Sequence, residues 1–518
     1  MDETENNAEN KTMYLYGASV QGIQEFIFQT NKLKEIVGAS ELVEQICTTA
    51  FDCYAKNGES IVRAAGNIKH IFFNRKDCEE AALNFPREVM TMAPGITISQ
   101  AVVTLKRDES DYAAQSNELE KLLQTQRNKA PRSMTLGLMS ISRSPSSGLP
   151  AVSERKNELI DAASEQKIKL HQATKKLAEK SFGKVNLNYS QIAYNIENIT
   201  DKNNWIAVIH ADGNGMGNIF QEVGKYKNDM KLISPAVSHI TESAAQKAFE
   251  TVEKKYLSNS SIIPIRPIIL GGDDLTLICR ADFALEYIKT FLELFETASQ
   301  EIKNLKLEKE SSWEVVKKGF TACAGIAFVK SSYPFHYAIH LAESLCGEAK
   351  KKAKEVDEKL APSCIMFHKV QDSFVEDYIE IINRELTPQN TKLSFVNGPY
   401  YCGDYAKLYK EQCNVTVEQL LDRVYELAGE KENKMSQKEG NAIKSHLRQW
   451  LGLLSENIEA ANQKMKRLRT INDKAKEFIY DAGIEELKAD IEKKIPYYDI
   501  LSLSSILFAD TKKGGKEQ

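Results

Sequence analysis

Two kinds of apolar pattern alternate along this chain: short runs of strand length, and stretches in which apolar residues recur every three or four positions. Trp205-Ile-Ala-Val-Ile-His210 is a mostly apolar run, predicting a buried strand that ends at Asp212 and a turn holding Gly213, Gly215 and Gly217. Pro267–Leu270 and Leu275–Cys279 are apolar and flank Gly271-Gly272-Asp273-Asp274, which predicts a tight hairpin. The two aspartates are expected side by side at its exposed tip, facing opposite ways. Phe320–Val329 predicts another buried strand. Ala338, Leu341, Leu345 and Ala349 share one face of a helix over 337–354. Similar spacing predicts helices over 236–254 and 283–299, with a charged loop over 305–314.

The N-terminal part repeats this order. Strands are expected at 13–20 and 96–105, with a hairpin of 60–65 and 70–73 around Gly66-Asn67. Helices are expected over 21–54, with a break near Gly38, and over 76–92. Ala65-Gly66-Asn67 stands where Gly272-Asp273-Asp274 stands in the later unit, so 13–107 reads as a second copy without acids. Residues 108–126 predict a polar helix, and 130–150, with Pro131, Pro145, Pro150 and many serines, a loop. A helix over 154–180 is basic at its end (Lys167, Lys169, His171, Lys175, Lys176, Lys180). It is either a contact for RNA backbone or, more commonly, a solvated face. From 376 onward the period is helical: 417–428, 438–454, 458–482, 484–495 and a short helix from Tyr497 to Leu507. The third carries a basic stripe of Lys464, Lys466, Arg467, Arg469 and Lys474.

Composition is that of a globular protein: 518 residues, 42% hydrophobic and 27% charged. That length suits about three or four units of ~150 residues. A net charge of −4 gives no global pull toward nucleic acid, so any RNA contact has to be local. The nine cysteines form no Cys-x-x-Cys and read as reduced, buried thiols of a cytoplasmic protein. No apolar run approaches membrane length, so no membrane contact is expected. Residues 1–12 are acidic and amide-rich, unlike a signal peptide.

The chemistry lies in the acids. Neighbouring carboxylates at a tip repel one another, and a divalent cation relieves this. Gly271-Gly272-Asp273-Asp274 alone is equally a solvated turn that carries acids. Asp212 at a strand end beside a glycine-rich loop shifts the balance. The set suits a two-metal nucleotidyl-transfer site, whose carboxylates hold two ions about 3.5–4 Å apart. Lys350 follows Cys346 by one turn and either reaches a polyphosphate or belongs to a solvated basic helix end with Lys351–Lys354.

Ala342-Glu343 and Ala349-Lys350 have the spacing of the Ala-Asp…Ala-Lys helix in GGDEF diguanylate cyclases. Asp212 with Gly271–Asp274 resembles the palm of that cyclase and polymerase superfamily. Closer is the resemblance to the Cas-ten family, the large (Cmr-like) palm subunit of type III CRISPR effector complexes. Its strand-end signature Asp-Gly-Asp-x-Met-Gly is matched by Asp212-Gly-Asn-Gly-Met-Gly217, with asparagine at 214 in place of aspartate. Its Gly-Gly-Asp-Asp hairpin stands unaltered at 271–274, and its Ala-Gly-Ile-Ala run at 324–327. Val20-Gln-Gly-Ile-Gln-Glu-Phe-Ile-Phe28, Lys32-Leu-Lys-Glu35 and Gly38-Ala-Ser40 resemble its first palm. No single motif decides, but the ordered set is specific and spans most of the chain.

The resemblance implies an α+β fold: a flexible tail (1–12), a degenerate ferredoxin-like first palm (13–107), a helical linker region (108–200), a second, catalytic palm (201–375) and a C-terminal helical domain (376–518). It implies nucleotidyl transfer from ATP to make a second messenger. The messenger would be a cyclic oligoadenylate or a conjugate of ATP with S-adenosylmethionine. Asp212, Asp273 and Asp274 would hold two Mg²⁺ or Mn²⁺. Gly271 and Gly272 would let a nucleotide lie on the hairpin, Gly213, Asn214 and Gly217 would cradle phosphate or ribose, and Lys350 would neutralise the triphosphate. The start of the first helix, near Ser19 and Gln21, either binds a phosphate or base or is purely structural. Implied partners are guide RNA, target RNA and other subunits, including a small helical one. Relatives often carry a zinc insert between the palms and an HD nuclease domain. Residues 108–200 hold no suitable Cys/His cluster and the sequence has no His-Asp dipeptide, so neither is expected. Two other classes remain open: a catalytically silent RNA-binding scaffold, and a free-standing diguanylate-cyclase-like enzyme.

Overall fold

The computed structural model describes residues 12–64, 66–129, 139–170, 176–183, 191–257, 262–371, 377–431, 434–471, 473–479 and 484–508. The expected tails, Ala65, Pro131, His171 and Lys175 lie outside them.

The first unit runs β1 (Thr12–Gln21), α1 (Ile23–Phe28), α2 (Leu33–Gln45), β2 (Gly58–Ala64), β3 (Asn67–Phe72), α3 (Arg75–Met92) and β4 (Thr97–Lys106). Its sheet order is β2-β3-β1-β4, antiparallel throughout, as a β-α-β-β-α-β chain gives when its crossovers are right-handed. The helical break falls at 29–32, not near Gly38. Gly38 lies inside α2 because a Cβ there would sit 1.8 Å from the carbonyl oxygen of Lys167. The glycine is a site of close helix packing.

The linker region holds α4 (Tyr112–Asn128), β5 (Ala151–Arg155), β6 (Glu158–Asp161), α5 (Ala162–Leu170) and α6 (Lys176–Phe182). Residues 154–161, expected as the start of a helix, instead belong to a hairpin, and the helix begins at Ala162. The hairpin turn, Lys156-Asn157, has φ of +50° and +64°, the left-handed pair of a two-residue hairpin loop. The basic residues here are largely structural. Lys167 is buried and donates to the Phe26 carbonyl at 2.6 Å. Lys180 bridges Glu44 and Glu242.

The second unit runs β7 (Trp205–Gly213), α7 (Met216–Val223), α8 (Lys227–Val252), β8 (Ile265–Gly271), β9 (Asp274–Arg280), α9 (Ala284–Ser299), α10 (Glu310–Val316), β10 (Ala322–Lys330), α11 (Phe335–Val356) and β11 (Cys364–Lys369). The apolar positions predicted for α11 are all buried, as are Val237, Ile240, Ala244, Ala248 and Val252 of α8 and Ala284, Ile288, Phe291, Leu292 and Phe295 of α9. α10 replaces the end of the expected charged loop, with Ser312 and Val316 turned inward.

The remaining elements are α12 (Tyr378–Arg384), β12 (Leu393–Ser394), β13 (Tyr400–Tyr401), α13 (Gly403–Leu408), α14 (Val417–Ala428), α15 (Gln437–Glu456), α16 (Ile458–Ile471), α17 (Asp473–Phe478), β14 (Lys493–Lys494) and α18 (Tyr497–Leu507). Thr416–Gln419 and Ser436–Glu439 form capping boxes that start α14 and α15. No long helix covers 484–495. After a 3₁₀ turn at 484–486, Lys493–Lys494 pairs in parallel with Leu393–Ser394, and this pairing overrides the helical pattern.

The second sheet, β13-β11-β10-β7-β9-β8, takes its edge strand β13 from beyond residue 376. β7 lies near its centre, between β10 and β9. No described helix is long and apolar enough to cross a membrane.

Candidate active site

Pairing of Ala211 with Leu275 sets the ends of β7 and β9 side by side, so Asp212 and Asp274 are neighbours across the ladder. Asp273 is in the two-residue turn between β8 and β9, where Gly272 takes φ +62°. Strand alternation does not govern a turn residue, and the expectation that the two hairpin acids face opposite ways fails. Asp212, Asp273 and Asp274 each offer a carboxylate oxygen within 4.8 Å of the others. All three are half-buried, so the hairpin tip is not an exposed one.

Gly213 permits this convergence. A Cβ at 213 would lie 3.0 Å from both Cβ and Oδ2 of Asp273 and 2.6 Å from Cγ of Met216. Gly217 and Gly271 have open space where a side chain would stand. The Gly272 carbonyl accepts from Thr241 Oγ1 at 2.6 Å, which ties the turn to α8. Lys350, from α11, forms an ion pair with Asp212 and donates to the Gly213 carbonyl at 2.8 Å. It therefore neutralises a carboxylate of the cluster.

Asn214 is not brought to the acids. It is buried, its backbone N–H donates to the Thr321 carbonyl at 2.8 Å, and Nδ2 donates to Thr321 Oγ1 (3.0 Å) and the Ala361 carbonyl (3.2 Å). Its side chain sews the end of β7 to the starts of β10 and β11.

Crowding splits the proton affinities. Burial raises that of Asp212, but the adjacent Lys350 and hydrogen bonds from Asp273 and Asp274 outweigh it and hold Asp212 below the usual carboxylate range. Burial and the Asp212 charge push Asp273 up to about 7, and burial with both neighbouring acids pushes Asp274 well above its ordinary value. Burial opposes the charge on Lys350, but Asp212 wins and raises its pKa. Three acids share too little positive charge, which is the condition a divalent cation corrects. The donor set is all oxygen, as Mg²⁺ and Mn²⁺ prefer.

The hairpin faces the first unit. One cavity of about 520 Å³ lies between Gly271 and Asp274 and the end of β1, with Ser19, Gln21 and Asn67 in its wall. A second, of about 490 Å³, joins Gly272, Asp273 and Asp274 to Ser19, Asn67 and Arg127. Ser19 Oγ donates to Asn67 Oδ1 at 2.8 Å. Asn67, Thr241 and Arg127 were not singled out from sequence. The duplicated order of elements, which sets Asn67 where Asp274 stands in the later unit, is the one sequence signal that pointed toward the first.

Residues 205–359 match the family model for the second palm domain of Cas10/Cmr2. The second unit is thus similar to the second palm of Cas10/Cmr2. All nine site residues named from sequence fall within it. No curated protein sequence matches the chain. Among solved structures, Csm1 in T. onnurineus aligns with TM-score 0.53 at 13% identity, covering 96% of this chain and 69% of that one. A Csm1–Csm4 cassette in complex with cA4 aligns with TM-score 0.52 at 12% identity (97% and 70% covered). A cassette in complex with AMPPNP gives 0.51 at 13% (97% and 70%). These likenesses extend the shared fold from the Cas10/Cmr2 palm to nearly the whole chain.

Proposed function

We propose that this chain is the nucleotidyl-transfer subunit of a type III CRISPR complex and makes a nucleotide second messenger from ATP. The observation that carries this reading is the convergence of Asp212, Asp273 and Asp274 within a Cas10/Cmr2 palm, at a cleft wide enough for nucleotides. A scaffold has no need of three half-buried acids held so close that the proton affinities of two of them are pushed up. The tandem palms and the likeness to Csm1 argue against a free-standing diguanylate cyclase.

Asp212, Asp273 and Asp274 would hold two Mg²⁺ or Mn²⁺, which when bound activate an attacking hydroxyl and support the leaving pyrophosphate. The chain itself supplies the rest. Gly271 and Gly217 leave room for a nucleotide, Gly213 lets Asp273 close on Asp212, and Lys350 keeps Asp212 ionised. The end of β1 and the β2–β3 turn offer Ser19 and Asn67 to a second substrate across the cleft. That second substrate is another ATP, as the cA4 of a structural relative suggests, or S-adenosylmethionine. Partners would be guide and target RNA and a subunit placed as Csm4 is in the cassettes.

The deciding experiment incubates the protein, with its co-purifying subunits and RNA, with labelled ATP and Mg²⁺ or Mn²⁺, with and without S-adenosylmethionine and matching target RNA. A product that requires target RNA and is lost in Asp273→Ala/Asp274→Ala supports the reading, and its dependence on S-adenosylmethionine names the chemistry. RNA still bound but no product under any condition leaves only the scaffold.

A further inference from the structure

Three cationic side chains line the two cavities between the palms: Lys69, Lys180 and Arg127. Two are already matched by acids. Lys69 Nζ is 2.9 Å from Glu120 and 3.2 Å from Ser116 Oγ, and Lys180 lies 2.9 Å from Glu44 and 3.4 Å from Glu242. Lys350, behind the cluster, is paired with Asp212. Arg127 differs. It is exposed, it lines both cavities, and among the described residues its guanidinium has no carboxylate or hydrogen-bond partner.

Its position follows from how α4 packs. Gly17 of β1 leaves the room that Leu119 and Leu123 fill; a Cβ there would lie 2.9 Å from Leu119 Cδ2 and 3.1 Å from Leu123 Cδ1. Arg127 comes one turn after Leu123, on the same helix face. Gln126 Oε1 accepts from the Gln100 backbone N–H at 2.9 Å, and Gln100 pairs with Ala18. The last turn of α4 is thereby fixed beside Ala18 and Ser19, across the cleft from Gly272–Asp274. The other cations of the wall, Lys69 and Lys180, are paired with acids, and the phosphates of a nucleotide entering it need a cation that is not already paired. A guanidinium meets phosphate with two parallel N–H donors.

We propose that Arg127 is a phosphate-binding residue of this site, contributed by the linker region: its guanidinium takes the phosphates of a nucleoside triphosphate held between the palms. This rests on the reading of the cleft as a nucleotide site. The linker helix then completes the site, and α4 docking governs substrate affinity.

The test compares wild type, Arg127→Ala, Arg127→Lys and Asp273→Ala/Asp274→Ala as the full chain with its co-purifying subunits and RNA. Equilibrium binding of ATP and of adenosine is measured in Mn²⁺, with ATP turnover and melting temperature alongside. Arg127→Ala is expected to weaken ATP binding about 10–100-fold, the range for a lost hydrogen bond to a charged group, with adenosine binding and melting unchanged. KM for ATP should rise more than kcat falls. Arg127→Lys should fall between, since an ammonium keeps the charge without the fork. If Arg127→Ala binds ATP as wild type does while the double mutant loses product, Arg127 is not the phosphate residue and the site reading stands. If Arg127→Ala weakens adenosine and ATP equally, its role is structural and the proposal falls. If wild type binds ATP no better than adenosine, the proposal and the nucleotide reading of the cleft fall together.

Discussion

Asp273 and Asn214 show how single side chains set the behaviour of the site. Asp273 holds its proton up to about pH 7 because it is buried beside the Asp212 charge. A divalent ion has to displace that proton, so ion affinity falls as pH falls below that value. Mn²⁺ affinity, followed by electron paramagnetic resonance from pH 5.5 to 8.5, should weaken about tenfold or more per pH unit below about 7. A flat profile would mean that the three acids do not share an ion. Asn214 stands where the resembled family has aspartate, yet its amide is committed to Thr321 and Ala361. Asn214→Asp turns a buried donor into an acceptor facing the Ala361 carbonyl. It is expected to cost about 1–3 kcal/mol or more, as unmatched buried polar groups do, and to add no Mn²⁺ binding. Thermal denaturation and Mn²⁺ titration of the variant check both. An unchanged melting temperature with one more ion bound would show that residue 214 turns toward the acids.

At the scale of elements, the site depends on how closely α11 and β10 approach, because α11 carries Lys350 and β10 flanks β7. A Cβ at Gly325 would lie 1.9 Å from the Ala342 carbonyl oxygen and 2.6 Å from the Cys346 nitrogen. Both contacts are rigid backbone, so Gly325→Ala must push helix from sheet. The variant is expected to lose several kcal/mol, in the range of severe overpacking, and to weaken Mn²⁺ binding as Lys350 is displaced. Calorimetry and the same titration measure it; a wild-type melting temperature would refute the close approach. The Ala324-Gly-Ile-Ala327 run was legible in the sequence as a strand, but its glycine's purpose was not, since that depends on the turn of α11 that crosses it. The same limit hid Gly38, which looks like a helix break and is a packing point. β7, the β8–β9 hairpin and α11 were legible because their apolar period is unbroken and their ends carry glycine or acid. The β5–β6 hairpin and β14 were not, because each is decided by a pairing and lacks an apolar alternation. Arg127 had no local signal at all: its role comes from the docking of α4 on Gly17.

At the scale of the molecule, the C-terminal region docks against the edge of the second unit's sheet. β13 pairs with β11, and Tyr400 on β13 donates its hydroxyl to Asp499 Oδ2 on α18 at 2.6 Å. Burial pushes Asp499 up to about 7, although the hydrogen bonds from Tyr400 and the Asn397 backbone pull the other way. Its folded value thus lies above its unfolded one. Below about pH 4 both states are protonated and the contact is fully favourable. Between about 4 and 7 the unfolded chain releases a proton that the folded chain keeps, so stability falls by about 1.4 kcal/mol per pH unit. Above 7 the loss is complete and constant. Asp499→Asn keeps an acceptor for Tyr400 and cannot ionise. Relative to wild type, it should therefore gain stability as pH rises from 4 to 7, and at pH 8 it should melt higher. Subtracting the two melting profiles cancels the titration of Asp273, Asp274 and every other shared group. A difference independent of pH would mean that Asp499 is ionised throughout and that the seam between α18 and β13 is open to water.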